Sequence, residues 1–343
     1  MEIGNQIKAL RLRRAVTQEA LAQHLGVTAQ AVSKWERGVA TPDIAILPDI
    51  SAYFGVTIDE LFALSDDTRM ERIQNMIWDI RFIPQADVDS AREFLLEKAR
   101  REPANGRPHE LLADMENHLA QEHREKAEEY AKEALRRDPN LRDAHGELNM
   151  AMGGFIPDWN GCNHYLQIAY YQDFLREHPD NWRGLMWIMD QLIDDYRLEE
   201  AEHYCDHFAR INQTYRVPLY RGKIAWQRGD REGAFAIWAQ MEQEFPGEWC
   251  VYHHIADYLI RAGRGELAER YYRKAIDIQT VPRLVDPIEA LAQYYEIRGD
   301  YAAAIRMLKE ELQVFENEWN FTTGETADIV RRHISRLEKK ENM

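Results

Sequence analysis

The spacing of apolar residues along this chain predicts helices from end to end. In residues 1–64 it marks out five short ones: about 3–14, 17–25 and 28–37, a fourth after Pro42, and a fifth over Ile58–Leu64. Gly26, Gly38, Pro42 and Gly55 supply the breaks. The polar stretch SDDTR at 65–69 reads as a link to a second domain. From about residue 68 onward the period stays helical, and no segment alternates with the period of two that a half-buried strand needs. The expected fold class is all-α.

The second part also repeats itself. Pro103, Pro139, Pro179 and Pro246 each close an amphipathic helix. Ala91, Ala127 and Ala234 stand twelve residues before three of them, and the same slot recurs as Ala201, Ala268 and Ala304. With residue 167 standing for a degenerate third unit, the steps are 36, 40, 34, 33, 34 and 36. The fullest copy runs Tyr252, Ile255, Ala256, Leu259, Gly263, Ala268, Tyr272, Ala275. Leu291, Ala292, Tyr295, Gly299, Asp300, Tyr301 and Ala304 fall in register after it, and Gly222, Gly229, Asp230, Ala234 and Trp238 before it. Small residues let two helices approach, a glycine turns the chain between them, and large apolar residues fill the stack; one unit cannot bury its face alone. On these residues the chain resembles the tetratricopeptide repeat family over 70–343. The resemblance implies a right-handed superhelical α-solenoid whose first (A) helices line a concave groove, closed by a polar capping helix at about 325–340. Two departures stand out: Arg221 where the pattern wants leucine, and the insertion MGGFIPDWNGCNHY at 152–165, which breaks the third pair.

One segment carries more than packing. In TQEALAQHLGVTAQAVSKWERG, residues 17–38, Thr17 and Thr28 are placed to cap helices and Gly26 breaks the chain between them. Ala22 is small where two helices would cross, and Leu21, Leu25, Val32 and Trp35 bury the joint. That leaves Gln30, Ser33, Lys34 and Arg37 at i, i+3, i+4 and i+7 on one exposed face. Amides read base edges bidentately, and lysine or arginine meets phosphate or guanine. A short helix with such a face is what a major groove admits. Residues 3–62 resemble the lambda-repressor/Cro-type (XRE) helix-turn-helix family. By that resemblance Gln18 opens the second helix and contacts backbone or supports a recognition residue, while Thr28, Gln30, Ser33 and Lys34 look into the groove and Arg37 reaches phosphate. Ala29 occupies a position where the family often has a long polar residue; it offers only a methyl contact to thymine. The rival reading of this head is a protein-interaction module.

Composition sharpens the picture. The net charge of −16 argues at first against nucleic acid, but its distribution does not. Residues 1–42 carry six basic side chains (Lys8, Arg11, Arg13, Arg14, Lys34, Arg37) against three acidic ones, whereas residues 43–64 carry four acids and no base. The rest of the chain is acidic, with 37 bases and 52 acids, so phosphate is attracted to the tip and repelled by the body. No apolar run reaches the roughly 18–20 residues that cross a bilayer, and the first residues show no secretion signal. Cys162, Cys205 and Cys250, an odd set without a CxxC, read as reduced thiols of a cytoplasmic protein.

Other motifs are weak. His203 and His207 lie at zinc-compatible i, i+4 spacing, but no third ligand is evident; His253 and His254 are expected to diverge on their helix. PHELLA at 108–113 lacks the second histidine of a metalloprotease helix, and there is no P-loop, GxSxG or GxGxxG before a helix. No catalytic residue, metal or cofactor is therefore expected. The repeat register places Arg183, Met186, Asp190, Arg216, Lys223, Trp226, His253, Asp257 and Gln293 on the A-helix side, a mixed lining suited to a peptide. The order of domains (1–64 DNA-reading, 65–69 linker, 70–343 repeats) resembles the peptide-pheromone receptor regulators of Gram-positive bacteria. That layout implies a homodimeric regulator of double-stranded DNA, switched by a short peptide or protein ligand in the groove. The alternatives are a scaffold for a protein partner and a constitutive repressor whose repeats serve only dimerisation.

Overall fold

A computed structural model describes residues 3–62, 66–153 and 161–341. Among these residues only helices form. The first five are α1 (Ile3–Arg13), α2 (Gln18–Leu25), α3 (Ala29–Glu36), α4 (Leu47–Phe54) and α5 (Ile58–Leu61), with a 3-10 turn at Ile44–Ile46 ahead of α4. Next come α6 (Asp66–Asp79), α7 (Gln85–Arg101), α8 (Arg107–Arg137), α9 (Arg142–Ala151) and α10 (Tyr165–Glu177). Four helix pairs follow: α11 (Trp182–Asp194) with α12 (Leu198–Ile211), α13 (Arg216–Gln227) with α14 (Arg231–Glu244), α15 (Trp249–Arg261) with α16 (Gly265–Asp277), and α17 (Asp286–Ile297) with α18 (Tyr301–Glu318). The last helix is α19 (Glu325–Glu341). No helix among the described residues is long and apolar enough to cross a membrane. The chain separates into two compact units, 1–123 and 124–343.

In the first unit the predicted breakers act as expected. Thr17 and Thr28 accept hydrogen bonds from the backbone N–H groups of Ala20 and Ala31, capping α2 and α3, and Gly26 ends α2 at φ +66°. Ile7, Leu21, Val32, Ile50 and Leu61 are fully buried in one small core. The α1 backbone lies so close to the end of α3 that a Cβ on Gly4 would sit 1.9 Å from the Trp35 carbonyl oxygen. A separate core of Val88, Leu95, Leu111 and Met115 joins α7 to α8. Residues 66–69, read from sequence as linker, are the first turn of α6, and residues 63–65 lie outside the described ones.

The second unit is a stack of tetratricopeptide-like pairs, with α11, α13, α15 and α17 as A helices. Ala201, Ala234, Ala268 and Ala304 are fully buried on the B helices, as the repeat spacing requires. Gly222 shows why small residues recur: a Cβ there would lie 2.0 Å from Trp238 Nε1. The indole fills that space and donates to the Leu219 carbonyl at 3.3 Å. The earlier copies differ from expectation. Ala127 and Gln167 are exposed, and no helix pair forms around Ala127, because α8 is one helix of 31 residues. It contains no glycine and is rich in strong helix formers, with acid–base pairs one turn apart such as Glu133 and Arg137 at 2.7 Å, so nothing turns the chain. Half of the 152–165 insertion, residues 154–160 with Trp159, lies outside the described residues. Its far end is anchored where His164 Nδ1 meets Asp195 Oδ1 at 2.7 Å.

The Gly222–Trp238 contact yields a stability test. Gly222→Ala is expected to cost about 1–3 kcal/mol by overpacking and to lower the urea midpoint. Gly247→Ala, whose Cβ meets nothing within 4 Å, is expected to leave the midpoint unchanged.

Candidate nucleic-acid interface

Helices α2 and α3 enclose an open hollow of about 340 Å³ lined by Gln18, Glu19, Ala29, Gln30, Ser33, Lys34 and Arg37. The set expected from sequence is thus brought together, apart from Thr28, whose hydroxyl is engaged in capping α3. Gln30, Lys34 and Arg37 are exposed, Ser33 and Ala29 half-buried. Arg37 Nε donates to the Ser33 carbonyl at 3.2 Å, which leans the guanidinium along the helix end. An exposed amide followed along the helix by two exposed cations offers base-edge and phosphate donors on one face. Glu19 at the rim is the one lining residue the sequence reading did not single out.

Beneath this face lies a buried charge pair that was also not anticipated. Arg11 of α1 grips Glu36 of α3 through two bonds, Nε–Oε1 at 2.5 Å and Nη2–Oε2 at 2.9 Å. Their side chains are 10% and 2% exposed. Arg11 Nη1 also donates to the Val16 carbonyl at 2.8 Å, and Gln18 Nε2 donates to Glu36 Oε2 at 2.7 Å. Burial pushes the Glu36 carboxyl up, but the bonds from Arg11 and Gln18 and the Arg11 charge outweigh it and hold it below its usual range. The sequence held a signal: Arg11 stands four residues after buried Ile7, and Glu36 four after buried Val32, so each charge falls on an apolar stripe. Arg11 therefore drops out of the basic surface counted above. Arg14 is also committed, donating to the Tyr53 carbonyl and lying over the Tyr53 ring at 5.5 Å.

Residues 7–61 match the helix-turn-helix family. An uncharacterized HTH-type transcriptional regulator of Methanocaldococcus jannaschii is 36% identical over 63 residues, 18% of this chain and 96% of that protein. The chain belongs to the XRE-type helix-turn-helix family. The HTH-type transcriptional activator BcrR of Enterococcus faecalis is 44% identical over 63 residues, 18% of this chain but only 31% of BcrR, so the match spans less than a third of that relative. Among solved structures, a tetratricopeptide repeat protein from Parabacteroides merdae is similar at 16% identity over 80% of this chain and 98% of that one, with a TM-score of 0.40. Bacillus thuringiensis PlcR, solved with the peptide PapR7 and DNA, is similar at 14% identity over 89% of this chain and 98% of that one, with a TM-score of 0.25.

Later in the sequence than the XRE-type head, the A-helix residues singled out from sequence are partly brought together. Asp190 on α11 accepts from Lys223 Nζ at 2.6 Å and from Tyr220 OH at 2.9 Å, both on α13. Arg183 and Arg216 lie over the Trp182 ring at 4.3 and 5.4 Å, and Arg216 also over Tyr215 at 4.7 Å. The Tyr215 ring leads on to His254 of α15 at 6.4 Å. Burial first, then His253, Lys223 and Arg216, push the His254 imidazole down to about 3, so it is neutral at pH 7. Met186 is half-buried, and its carbonyl accepts from Tyr220 OH at 3.3 Å. Two expectations are corrected. Trp226 is half-buried and engaged in packing, with Phe235, Trp238 and Tyr258 ring centres within 6.3 Å and Arg231 over its face. His253 and His254 do not diverge; their ring centres are 5.5 Å apart. Gln293 stands exposed on α17.

The buried pair is open to direct test. Arg11→Met leaves the Glu36 carboxylate buried without its partner and is expected to cost about 3–5 kcal/mol. Adding Glu36→Leu is expected to restore most of that loss, as read by urea unfolding. Because the folded Glu36 carboxyl lies below its ordinary range, its contribution is complete above about pH 4.3 and is lost as pH falls through the folded value. The wild-type head should therefore lose stability on acidification more steeply than the double variant.

Proposed function

We propose that this chain is a sequence-specific DNA-binding transcription regulator that acts as a homodimer, and that its repeat body senses a peptide or another ligand along the A-helix side. One observation carries the DNA-binding part: Gln30, Lys34 and Arg37 are exposed around one hollow, on a helix pinned from below by Arg11 and Glu36. The dimer follows from the small number of free cations on the head. One head neutralises few phosphates, whereas two heads on half-sites about one helical turn apart multiply their affinities. The sensing part rests on the chain of polar and aromatic contacts from Arg183 to His254 across three successive A helices.

A second reading, a scaffold for a protein partner, has its own observation. Tyr130, Leu141, Met150, Tyr165, Leu166 and Tyr170, from the degenerate repeats, are 43–76% exposed. These are apolar side chains that a partner protein could cover. Co-purification of a stoichiometric partner that blocks DNA binding would favour this reading over the first.

The decisive measurement uses the full chain and a selected operator. Gln30→Ala is expected to cost about 1–3 kcal/mol at one operator position and so to reorder operator variants. Arg37→Ala is expected to weaken all sequences alike and to lower the salt slope by about one unit. An unchanged ranking with Gln30→Ala removes the placement of the reading face, and a single chain per operator by light scattering removes the dimer. For the sensing part, Lys223→Ala is expected to blunt the regulatory response in cells while operator binding by the purified protein stays intact.

A further inference from the structure

The middle of α15 gathers side chains that packing does not explain. His253, His254 and Asp257 bring one donor atom each within 4.8 Å of one another. Asp257 Oδ2 is the hub, with His253 Nε2 at 3.7 Å and His254 Nδ1 at 4.0 Å. Both distances are too long for hydrogen bonds, so two imidazoles converge on a carboxylate oxygen without bonding to it. The carboxylate is nevertheless fixed, because Tyr272 OH on α16 donates to its other oxygen, Oδ1, at 2.6 Å. The His253 side chain is only 15% exposed, and its Nδ1 is buried with no hydrogen-bond partner. The nitrogen that faces the carboxylate is the other one, Nε2, and at 3.7 Å it makes no hydrogen bond to it.

We propose that His253, His254 and Asp257 bind a zinc-class transition-metal ion. Zinc takes imidazole nitrogen and carboxylate oxygen at about 2.0–2.2 Å in a tetrahedron, which sets neighbouring donors about 3.3–3.5 Å apart. The separations of 3.7 and 4.0 Å, with all three donor atoms within 4.8 Å of one another, lie somewhat above that value. Two imidazoles and one carboxylate suit zinc, copper or nickel and not calcium or magnesium, which take oxygen donors. Tyr272 then acts as the outer partner that orients a ligating carboxylate. Lys223 is paired with Asp190, and Arg216 lies over the Trp182 and Tyr215 rings. Three protein ligands leave a fourth position to water or to a donor atom from a second molecule. The His203 and His207 pair offers no such set, since His207 Nε2 is bound to Asp180 at 3.0 Å.

The test uses full-length protein stripped by a chelator and titrated with zinc chloride, followed by calorimetry, and with cobalt(II), followed by visible absorption. One equivalent of zinc and a tetrahedral cobalt spectrum are expected. His254→Gln and Asp257→Asn are each expected to abolish that equivalent, with folding checked by circular dichroism. Tyr272→Phe, which keeps all three ligands, is expected to weaken zinc about 10–100-fold. Wild-type protein that binds no saturable equivalent overturns the site, and so does an equivalent that persists in both His254→Gln and Asp257→Asn. Operator binding, measured separately, reports on the regulator reading alone.

Discussion

The orientation of the reading helix depends on the bidentate contact between Arg11 and Glu36. A carboxylate that is 2% exposed is tolerated only if its lone pairs are filled, and here three donors fill them: two from Arg11 and one from Gln18. They come from two places along the chain, Arg11 in α1 and Gln18 in α2, so satisfying Glu36 in α3 fixes the three helices together. Arg37 follows Glu36 directly and Lys34 precedes it by two residues; the rotation of the polar face about the α3 axis is set by the residue buried beneath it. A pair of this kind adds little net stability over apolar residues of equal size. What it adds is geometry, since an apolar core tolerates small rotations that a fork-to-fork hydrogen bond does not.

The sequence made the head legible because its signals are local. Caps, a glycine turn and four-residue apolar spacing all act within one or two helical turns, and α2 and α3 begin and end within a residue of where those signals placed them. The buried pair was less legible because it joins residues 25 apart, and a charged side chain on an apolar stripe looks in isolation like the edge of a solvated face. Glu19 was passed over for a similar reason: an acid beside a basic face reads as noise until the hollow shows it at the rim.

The repeat body divides by the same logic. From α11 onward, each pair has a buried alanine and a tight turn, and spacing alone located the B helices. Before α11 the spacing persists in Ala127 and Gln167, but the physical cause is missing. An alanine marks a helix crossing only if the chain turns back, and nothing in α8 makes it turn. Periodicity without a breaker thus predicted a pair where one long helix forms. The A-helix side was read in the right register but without depth: Trp226 lies on the expected helix, yet its ring is drawn into the seam with Trp238 and Tyr258. Depth depends on how the neighbouring rings pack, here Trp238 seated against Gly222 with Trp226 beside it, and that is a property of the packed stack.

These contacts also separate what an ion and an effector could each do to the body. A ligand moves a stack of helix pairs only by binding two packings with different affinity. The existing ties between A helices are the Asp190–Lys223 bond from α11 to α13 and the ring contacts from α13 to α15. An ion held by His253, His254 and Asp257 takes all its ligands from α15 and adds no tie of this kind, so loading it alone adds no constraint on the angle between α13 and α15. The open coordination position changes that. A ligand that fills it and also touches α13 would add such a tie, and would favour the packing in which both contacts form. On the proposed reading the ion is an anchor and the bridging molecule is the switch. An apo body, an ion-loaded body and a bridged body are then three distinct states, and only the last bears on how the repeats stack.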